Sequence, residues 1–346
     1  MVPESAVALL FLGFVGTGLL EFFVLRIADA LRLFAEPNER SSHVIPTPSV
    51  GGLAILLPVV LMLGVSIAAF PAVLWLLLAA LLLASLGLID DLFGLPPWLR
   101  LPVQTLACSF ALSALLPAAP VWLLLPALLA CLWHVNLFNF MDGIDGFAGV
   151  QTFSIALGLL VLNPTMTPWA GYLCCVLAGS AVGFLVYNWA PARIFMGDVG
   201  STALGLVLAA MALHLWWLDQ LTVAAALILF AGFWFDASYT LIVRALTGQR
   251  VVEAHRLHAY QRLARRYGHG PVSLGLLLLN FCWLLPLAAA ASRWPFFAAV
   301  CGILAIAPLY WVCKNSGAGL PEPGGTATAA QPSVGAGEQR SEQDPE

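Results

Sequence analysis

The sequence predicts an all-α fold, a polytopic integral membrane bundle of about eleven transmembrane helices, and three observations predict it. The 346 residues are 61% hydrophobic and only 9% charged, where a soluble domain carries roughly 25% charged residues. Apolar runs of about 20 residues, the length that crosses a bilayer, recur along the chain. The basic residues fall in alternate gaps between those runs. A soluble Rossmann or barrel fold is excluded, because a soluble chain of this size could not hide so much apolar surface. In lipid each run must be helical to satisfy its own backbone groups.

The eleven runs cover 5–26, 50–70, 72–89, 102–117, 120–138, 147–163, 168–187, 201–217, 220–243, 272–291 and 294–313. Turn residues separate them, as at Phe70-Pro71, Pro117 to Pro120 and Asn163 to Pro168. The first run lacks a basic leader and reads as a retained helix. Residues 315–346, rich in Gly, Pro, Ser, Thr, Glu and Gln, read as a disordered tail after a 1–314 membrane domain. The seven cysteines lie in apolar runs without a CxxC pair, so neither a disulfide nor a zinc site is expected. No basic tract suits nucleic acid, and no internal repeat suggests an inverted-repeat transporter.

Orientation follows from the Lys and Arg residues. With the N-terminus outside and the C-terminus cytoplasmic, the inner segments hold thirteen of the 14 basic residues, among them Arg26, Arg32, Arg40, Arg100, Arg193, Arg244 and Lys314, and only Arg293 is outside. The inverse topology would violate this bias.

The polar motifs share that inner face. Asp90-Asp91 end the third run. Asn136, Asn139, Asp142 and Asp145 straddle the inner end of the fifth. Gly197-Asp198-Val199-Gly200-Ser201 open the eighth, and His255, His258, Tyr260 and Gln261 lie in the longest inner loop. A divalent cation such as Mg²⁺ takes one or two carboxylates together with phosphate oxygens and water. Asp90, Asp91, Asp142, Asp145 and Asp198 supply carboxylates, while Gly143 and Gly146 allow close backbone approach to a phosphate. Ser201 lies at a helix start, where free N–H groups attract anions, and arginine and histidine suit a diphosphate. The pattern suggests metal-assisted phosphoryl chemistry with one cytosolic and one lipid substrate. Plainer roles stand beside it. Asp90-Asp91 and Asp198 also fit helix ends and caps, and His255 and His258 fit surface histidines in a basic loop. Asp236 sits near an inner helix end, where a functional role competes with a structural one, and Glu21 reads as snorkelling. Asn139, Asp142 and Asp145 resist a plain reading, because carboxylates between apolar helices repel and are costly. A transporter would place carboxylates near the midplane and on both faces, and a scaffold would leave the five polar blocks unexplained.

From Asn38 to Tyr267 the chain resembles the polyprenyl-phosphate N-acetylhexosamine-1-phosphate transferases. The resemblance is carried, in order, by Ser42-His43, Pro46-Thr47-Pro48 before Gly51-Gly52, and Gly87-Leu88-Ile89-Asp90-Asp91 with Leu95, Arg100 and Gln104. It continues through Asn136-x-x-Asn139-x-x-Asp142-Gly143-x-Asp145-Gly146, Asn188 with Pro191, Phe195-Met196-Gly197-Asp198-Val199-Gly200-Ser201, and His255-Arg256-Leu257-His258-Ala259-Tyr260-Gln261. Phe147 replaces a usual leucine. Two histidines stand where the peptidoglycan and common-antigen branches carry three, which resembles the branch that initiates O-antigen and other surface glycans from UDP-N-acetylfucosamine or UDP-N-acetylquinovosamine.

The resemblance implies transfer of a sugar-1-phosphate from a UDP-N-acetylhexosamine to a polyprenyl phosphate such as undecaprenyl phosphate, releasing UMP, in the bacterial inner membrane. It implies Mg²⁺ or Mn²⁺ on the donor diphosphate, with Asp198 as metal ligand and Asp91 beside it. Asp90 or Asp91 would position or deprotonate the lipid phosphate. Asn136, Asn139, Asp142 and Asp145 would hold the nucleotide, with Asn188 and Ser201 supporting that pocket. His255 and His258 would meet the phosphates or sugar, and Arg100 would neutralise phosphate charge. A homodimer is plausible on the same ground.

Overall fold

A computed structural model describes residues 4–31, 47–251, 253 and 255–321 of the chain. Ser42, His43, Pro46, Arg32, Arg40 and Arg340 lie outside the described residues. Among those described the structure is helical throughout, without strands. The helices are α1 (Glu4–Leu31), α2 (Gly52–Ser66), α3 (Val73–Phe93), α4 (Pro97–Leu115), α5 (Val121–Met141), α6 (Phe147–Leu162) and α7 (Pro168–Asn188). They continue with α8 (Gly197–Trp217), α9 (Val223–Leu229), α10 (Ala231–Leu246), α11 (Ala259–Tyr267), α12 (His269–Leu279), α13 (Leu285–Arg293) and α14 (Ala298–Ser316). Seven helical stretches are long and apolar enough to cross a membrane, or eight if the bent pair α9–α10 is one span. The chain is a multi-span membrane protein.

Each apolar run coincides with helical structure, but two are not single regular α-helices. The run at 220–243, expected as one helix, is α9 and α10, bent by 79° at Phe230. Hydropathy records that both halves are apolar and carries no information about direction, so the bend was invisible to it. The 272–291 run contains a π-helical turn, Asn280–Leu284, between α12 and α13. The folded body also runs past residue 314, since Ala318 is buried against Cys313 and Ala259.

The centre of the bundle is α8. Of its most apolar window 89% is buried, against 17% for α1. Glycines set the approach of its neighbours. A Cβ on Gly87 of α3 would lie 2.3 Å from the Asp198 carbonyl oxygen, and one on Gly52 of α2 would lie 2.3 Å from the Gly200 nitrogen. Small residues likewise seat α1 on α7, where a Cβ on Gly179 would lie 2.0 Å from Leu10 O. Between apolar helices in lipid, such close backbone packing is a main source of association. Here it brings the ends of α3 and α5 to the N-terminus of α8. Large exposed side chains such as Phe11, Leu61 and Val65 cover the rim, as expected of a lipid-facing surface.

Candidate active site

The start of α8 is where the predicted acidic motifs converge. Residues 48–52 and 195–196 first align it: Phe195 N–H donates to Pro48 O at 2.8 Å, Gly51 N–H to Phe195 O at 3.0 Å and Gly52 N–H to Met196 O at 2.9 Å. Gly197 follows with φ +70°, and a Cβ there would lie 2.0 Å from Ser49 O and 2.7 Å from an Asp91 oxygen. Both its conformation and the space around it demand glycine. The chain then turns into α8 with its first N–H groups directed at the end of α3.

Asp91 receives them. Its Oδ1 accepts the Asp198 N–H at 2.9 Å and its Oδ2 accepts the Val199 N–H at 3.0 Å. A carboxylate borrowed from another helix thus does what an N-cap residue does locally. Its neighbour Asp90 faces the other way. Asp90 Oδ1 accepts the Leu95 N–H at 2.6 Å, and Oδ2 pairs with Arg100 Nη1 at 2.5 Å. Arg100 also lies 3.4 Å from Asp198 Oδ2. Asn139, from the end of α5, donates to Asp198 Oδ1 at 2.7 Å and to Ser201 Oγ at 3.0 Å. Asp142 completes the group just beyond α5. Burial first, then the carboxylates of Asp198 and Asp91, hold it well above the usual carboxylate range.

Asp145 and Asn188, two residues expected at the nucleotide, form a scaffold behind this group. Asp145 Oδ2 accepts the Ala192 N–H at 3.0 Å, its Oδ1 lies 3.0 Å from His269 Nδ1, and its carbonyl accepts from Ser273 Oγ at 2.6 Å. Burial works to raise its pKa, but the bonds from His269 and Ala192 outweigh that and hold Asp145 below its ordinary value. Asn188 Oδ1 accepts the Gly146 N–H at 2.9 Å while its Nδ2 donates to Ile194 O at 2.8 Å. The loop at 142–146 is thereby fastened to the loop at 189–196 and to the start of α12. Asn136 takes a different direction. It donates to Gln104 at 3.0 Å and to Leu132 O at 2.8 Å, tying α5 to α4.

The histidine block is built on a second borrowed cap. Asp236 of α10 accepts the Ala259 and Tyr260 N–H groups, each at 2.9 Å, and the Thr240 hydroxyl at 3.0 Å. His258 is buried with Nδ1 3.6 Å from Asp236 Oδ1, and its ring lies 4.9 Å from that of His255. Burial first, then the neighbouring His258 and Arg244, push His255 down to about 3, so its imidazole is neutral at neutral pH. Tyr260 carries the block onto the acidic loop. Its hydroxyl donates to Phe140 O at 2.8 Å, its ring stacks on Phe147 at 4.8 Å, and a Cβ on Gly143 would lie 2.2 Å from its oxygen. Phe147, the departure from the usual leucine, is stacked between Tyr260 and Phe233.

Sequence reasoning singled out Asp236 without assigning it and missed His269 and Arg244 as structural partners. Arg244 donates to the carbonyls of Arg250, Val251 and Glu253 and so holds the loop leading to the histidines. His269 had one signal, its position directly after Gly268 at a helix start.

Among the described residues no three His, Cys, Asp or Glu side chains converge as a ready metal cage. The donor set nevertheless suits a hard cation that shares its sphere with substrate, because Mg²⁺ is usually held by one or two carboxylates plus phosphate oxygens. Asp90, Asp91, Asp142 and Asp198 share one end of the bundle with Arg100 as the guanidinium between them, and this acidic excess favours a bound cation.

Half-buried carboxylates at the ends of apolar spans, beside a loop that carries histidines, are the arrangement of an integral membrane enzyme. A model of glycosyl transferase family 4 matches residues 73–216. The chain is 31% identical over 248 residues to the phospho-N-acetylmuramoyl-pentapeptide-transferase of Heliobacterium modesticaldum, covering 63% of this chain and 75% of that protein. It is 28% identical over 317 residues to the decaprenyl-phosphate N-acetylglucosaminephosphotransferase of Mycobacterium tuberculosis, covering 77% of each. To the phospho-N-acetylmuramoyl-pentapeptide-transferase of Synechococcus elongatus it is 29% identical over 341 residues, covering 82% of this chain and 88% of that one. The chain belongs to glycosyl transferase family 4, the polyprenyl-phosphate phosphosugar transferases.

Proposed function

We propose that this chain transfers an N-acetylhexosamine-1-phosphate from a UDP-sugar to undecaprenyl phosphate at the cytoplasmic face of a bacterial inner membrane. The product lipid would initiate a surface glycan of the O-antigen kind. The observation that carries the reading is the shared site at the start of α8, where Asp90, Asp91, Asn139, Asp198 and Arg100 meet at the end of lipid-facing helices. One substrate can enter such a site from water and the other from the bilayer. The two-histidine block supports the surface-glycan branch. The bias in basic residues supports eleven crossings with the N-terminus outside, and we extend the family's homodimer to this chain on resemblance alone.

A phosphate oxygen of the lipid attacks the β-phosphorus of the UDP-sugar. The new P–O bond forms as the bond to the UMP oxygen breaks, and UMP leaves with that electron pair. Asp198, with Asp91 behind it, would hold Mg²⁺ or Mn²⁺, which when bound screens the negative charge of the diphosphate. Arg100 is poised between Asp90 and Asp198 to take a phosphate oxygen as a charge-assisted partner. Asp90 orients the lipid phosphate by holding Arg100. A phosphate monoester with a second pKa near 6 is already largely ionised at neutral pH, so positioning matters more than proton removal. Asn139 fixes the rotamer of Asp198. His255, neutral, offers hydrogen bonds to the donor without a proton equilibrium of its own at neutral pH.

The test is UMP release by purified protein given undecaprenyl phosphate, Mg²⁺ and a panel of UDP-N-acetylhexosamines, beside Asp198→Asn. We expect release with one sugar, dependent on the cation, and at least about 100-fold slower in the variant. Folded wild type that releases no UMP from any sugar would overturn the reading for these donors.

A further inference from the structure

The C-terminal end of α14 does more than finish the last span. Residues 317–320 leave the helix and fold back onto the loop that carries the histidines. Gly319 N–H donates to Leu257 O at 2.9 Å, and Gln249 Nε2 donates to Gly319 O at 2.8 Å. Arg262 of α11 donates to Ser316 O at 3.4 Å and also to Leu320 O. Ala318, 2% exposed, packs with Cys313 and with Ala259, the first residue of α11. The turn needs two left-handed residues, Gly317 at φ +71° and Gly319 at φ +79°. A Cβ on Gly319 would lie 2.7 Å from Val243 Cβ and 2.8 Å from Thr240 O, so this backbone lies flush against α10, beside the residue that bonds Asp236.

Leu257 immediately precedes His258 and lies two residues after His255. The segment therefore acts on the histidine block from behind, while Asp236 holds the same block through the N–H groups of Ala259 and Tyr260. We propose that the Gly317–Leu320 turn is a latch that positions His255 and His258 for the sugar-nucleotide donor, with Gly319 as its positioning residue acting through the Leu257 carbonyl. This rests on the reading above that those histidines meet the donor. Among the described residues the bonds and packing of the latch fall on α10, α11 and the 249–257 loop rather than on the start of α8, where the lipid phosphate would bind, so its loss separates the two substrates kinetically.

The experiment compares full-length wild type, Gly319→Ala and Gln249→Ala in detergent by two readouts, the KM values for UDP-sugar and for undecaprenyl phosphate and the hydrogen exchange of the amides at 257–261. Gly319→Ala should raise the donor KM on the order of tenfold and Gln249→Ala about threefold, the scale of loss from slight misplacement of a contacting group. The acceptor KM should stay at the wild-type value. Amide exchange at 257–261 should quicken in both variants while that at 198–202 stays unchanged. Equal changes in both KM values, or none in either, would overturn the latch. If Gly319→Ala does not fold, Gln249→Ala decides alone. If wild type itself releases no UMP, the functional reading fails, and the exchange data alone judge the latch, with unchanged protection at 257–261 overturning it.

Discussion

Two helices in this protein begin on a carboxylate supplied by another helix, and what surrounds each carboxylate is different. Asp91 accepts the second and third N–H groups of α8, and Asp236 accepts the first two of α11, all four bonds at 2.9–3.0 Å. Each places a full negative charge where the helix dipole favours one. At α11 the account closes locally, because Asp236 is buried with the Thr240 hydroxyl and the His258 ring beside it. At α8 it does not close, because Asp198 lies in the first turn of the same helix with Asp142 close by, and Arg100 is shared between Asp90 and Asp198. The same capping device is a closed structural joint at α11 and, on the function proposed above, part of a binding site at α8, where negative charge is left over.

The comparison is broken most directly by removing each cap. Asp91→Ala leaves two N–H groups of α8 without their acceptor, a cost of about 1–3 kcal/mol apiece where water cannot reach. It also frees the segment that aims Asp198. We expect lower thermal stability in detergent and, in the protein that remains folded, UMP release reduced at least about 100-fold. Asp236→Ala should cost similar stability, but its folded fraction should keep much more activity, with the donor KM changed and the acceptor KM not. Equal activity losses in the two folded variants would erase the distinction. A smaller perturbation sharpens it. Thr240→Val removes the hydroxyl bonded to Asp236 and should lower stability by about 0.5–1.5 kcal/mol, read as a melting shift, with the lipid-phosphate KM left at its wild-type value.

The open site was far more legible in the sequence than the closed one. Asn139 and Asp142 stand out because carboxylates and amides between apolar helices are costly, whereas Asp90, Asp91, Asp198 and Ser201, which also fit helix ends and caps, stand out only through the order of their motifs. Asp236 looks like any acid near a helix end until α11 is folded over it, since its partners are main-chain N–H groups that every sequence carries. The same limit explains Asp145 and Asn188. Their residue types mark them as important, but whether they face a ligand or the Ala192 and Gly146 amides depends on how two distant loops meet. Gly319 was hidden in a tail whose composition reads as disordered, and only its contact with Leu257 and Thr240 reveals it. The bend at Phe230 was hidden because periodicity and hydropathy are blind to the angle between two apolar halves.

Asp145 supplies the smallest test, a carboxylate that is partnered by His269 and the Ala192 amide without capping a helix. Its pKa in the folded protein lies below the ordinary value because His269 and the Ala192 amide favour the ionised form over the cost of burial. A depressed carboxylate pKa contributes stability that is fully present above the unfolded value, about 3.9, and is lost as pH falls through the folded value. Asp145→Asn keeps an acceptor for Ala192 but removes the charge facing His269. Its melting temperature should therefore sit below wild type at pH 7 by on the order of 1–3 °C for a chain of this size. That gap should narrow as the pH is taken below about 4, where the unfolded chain takes up the proton first, and close as the folded wild type loses the same charge at its own lower value. A gap that persists unchanged into acid would mean that shape rather than charge fastens the 142–146 loop.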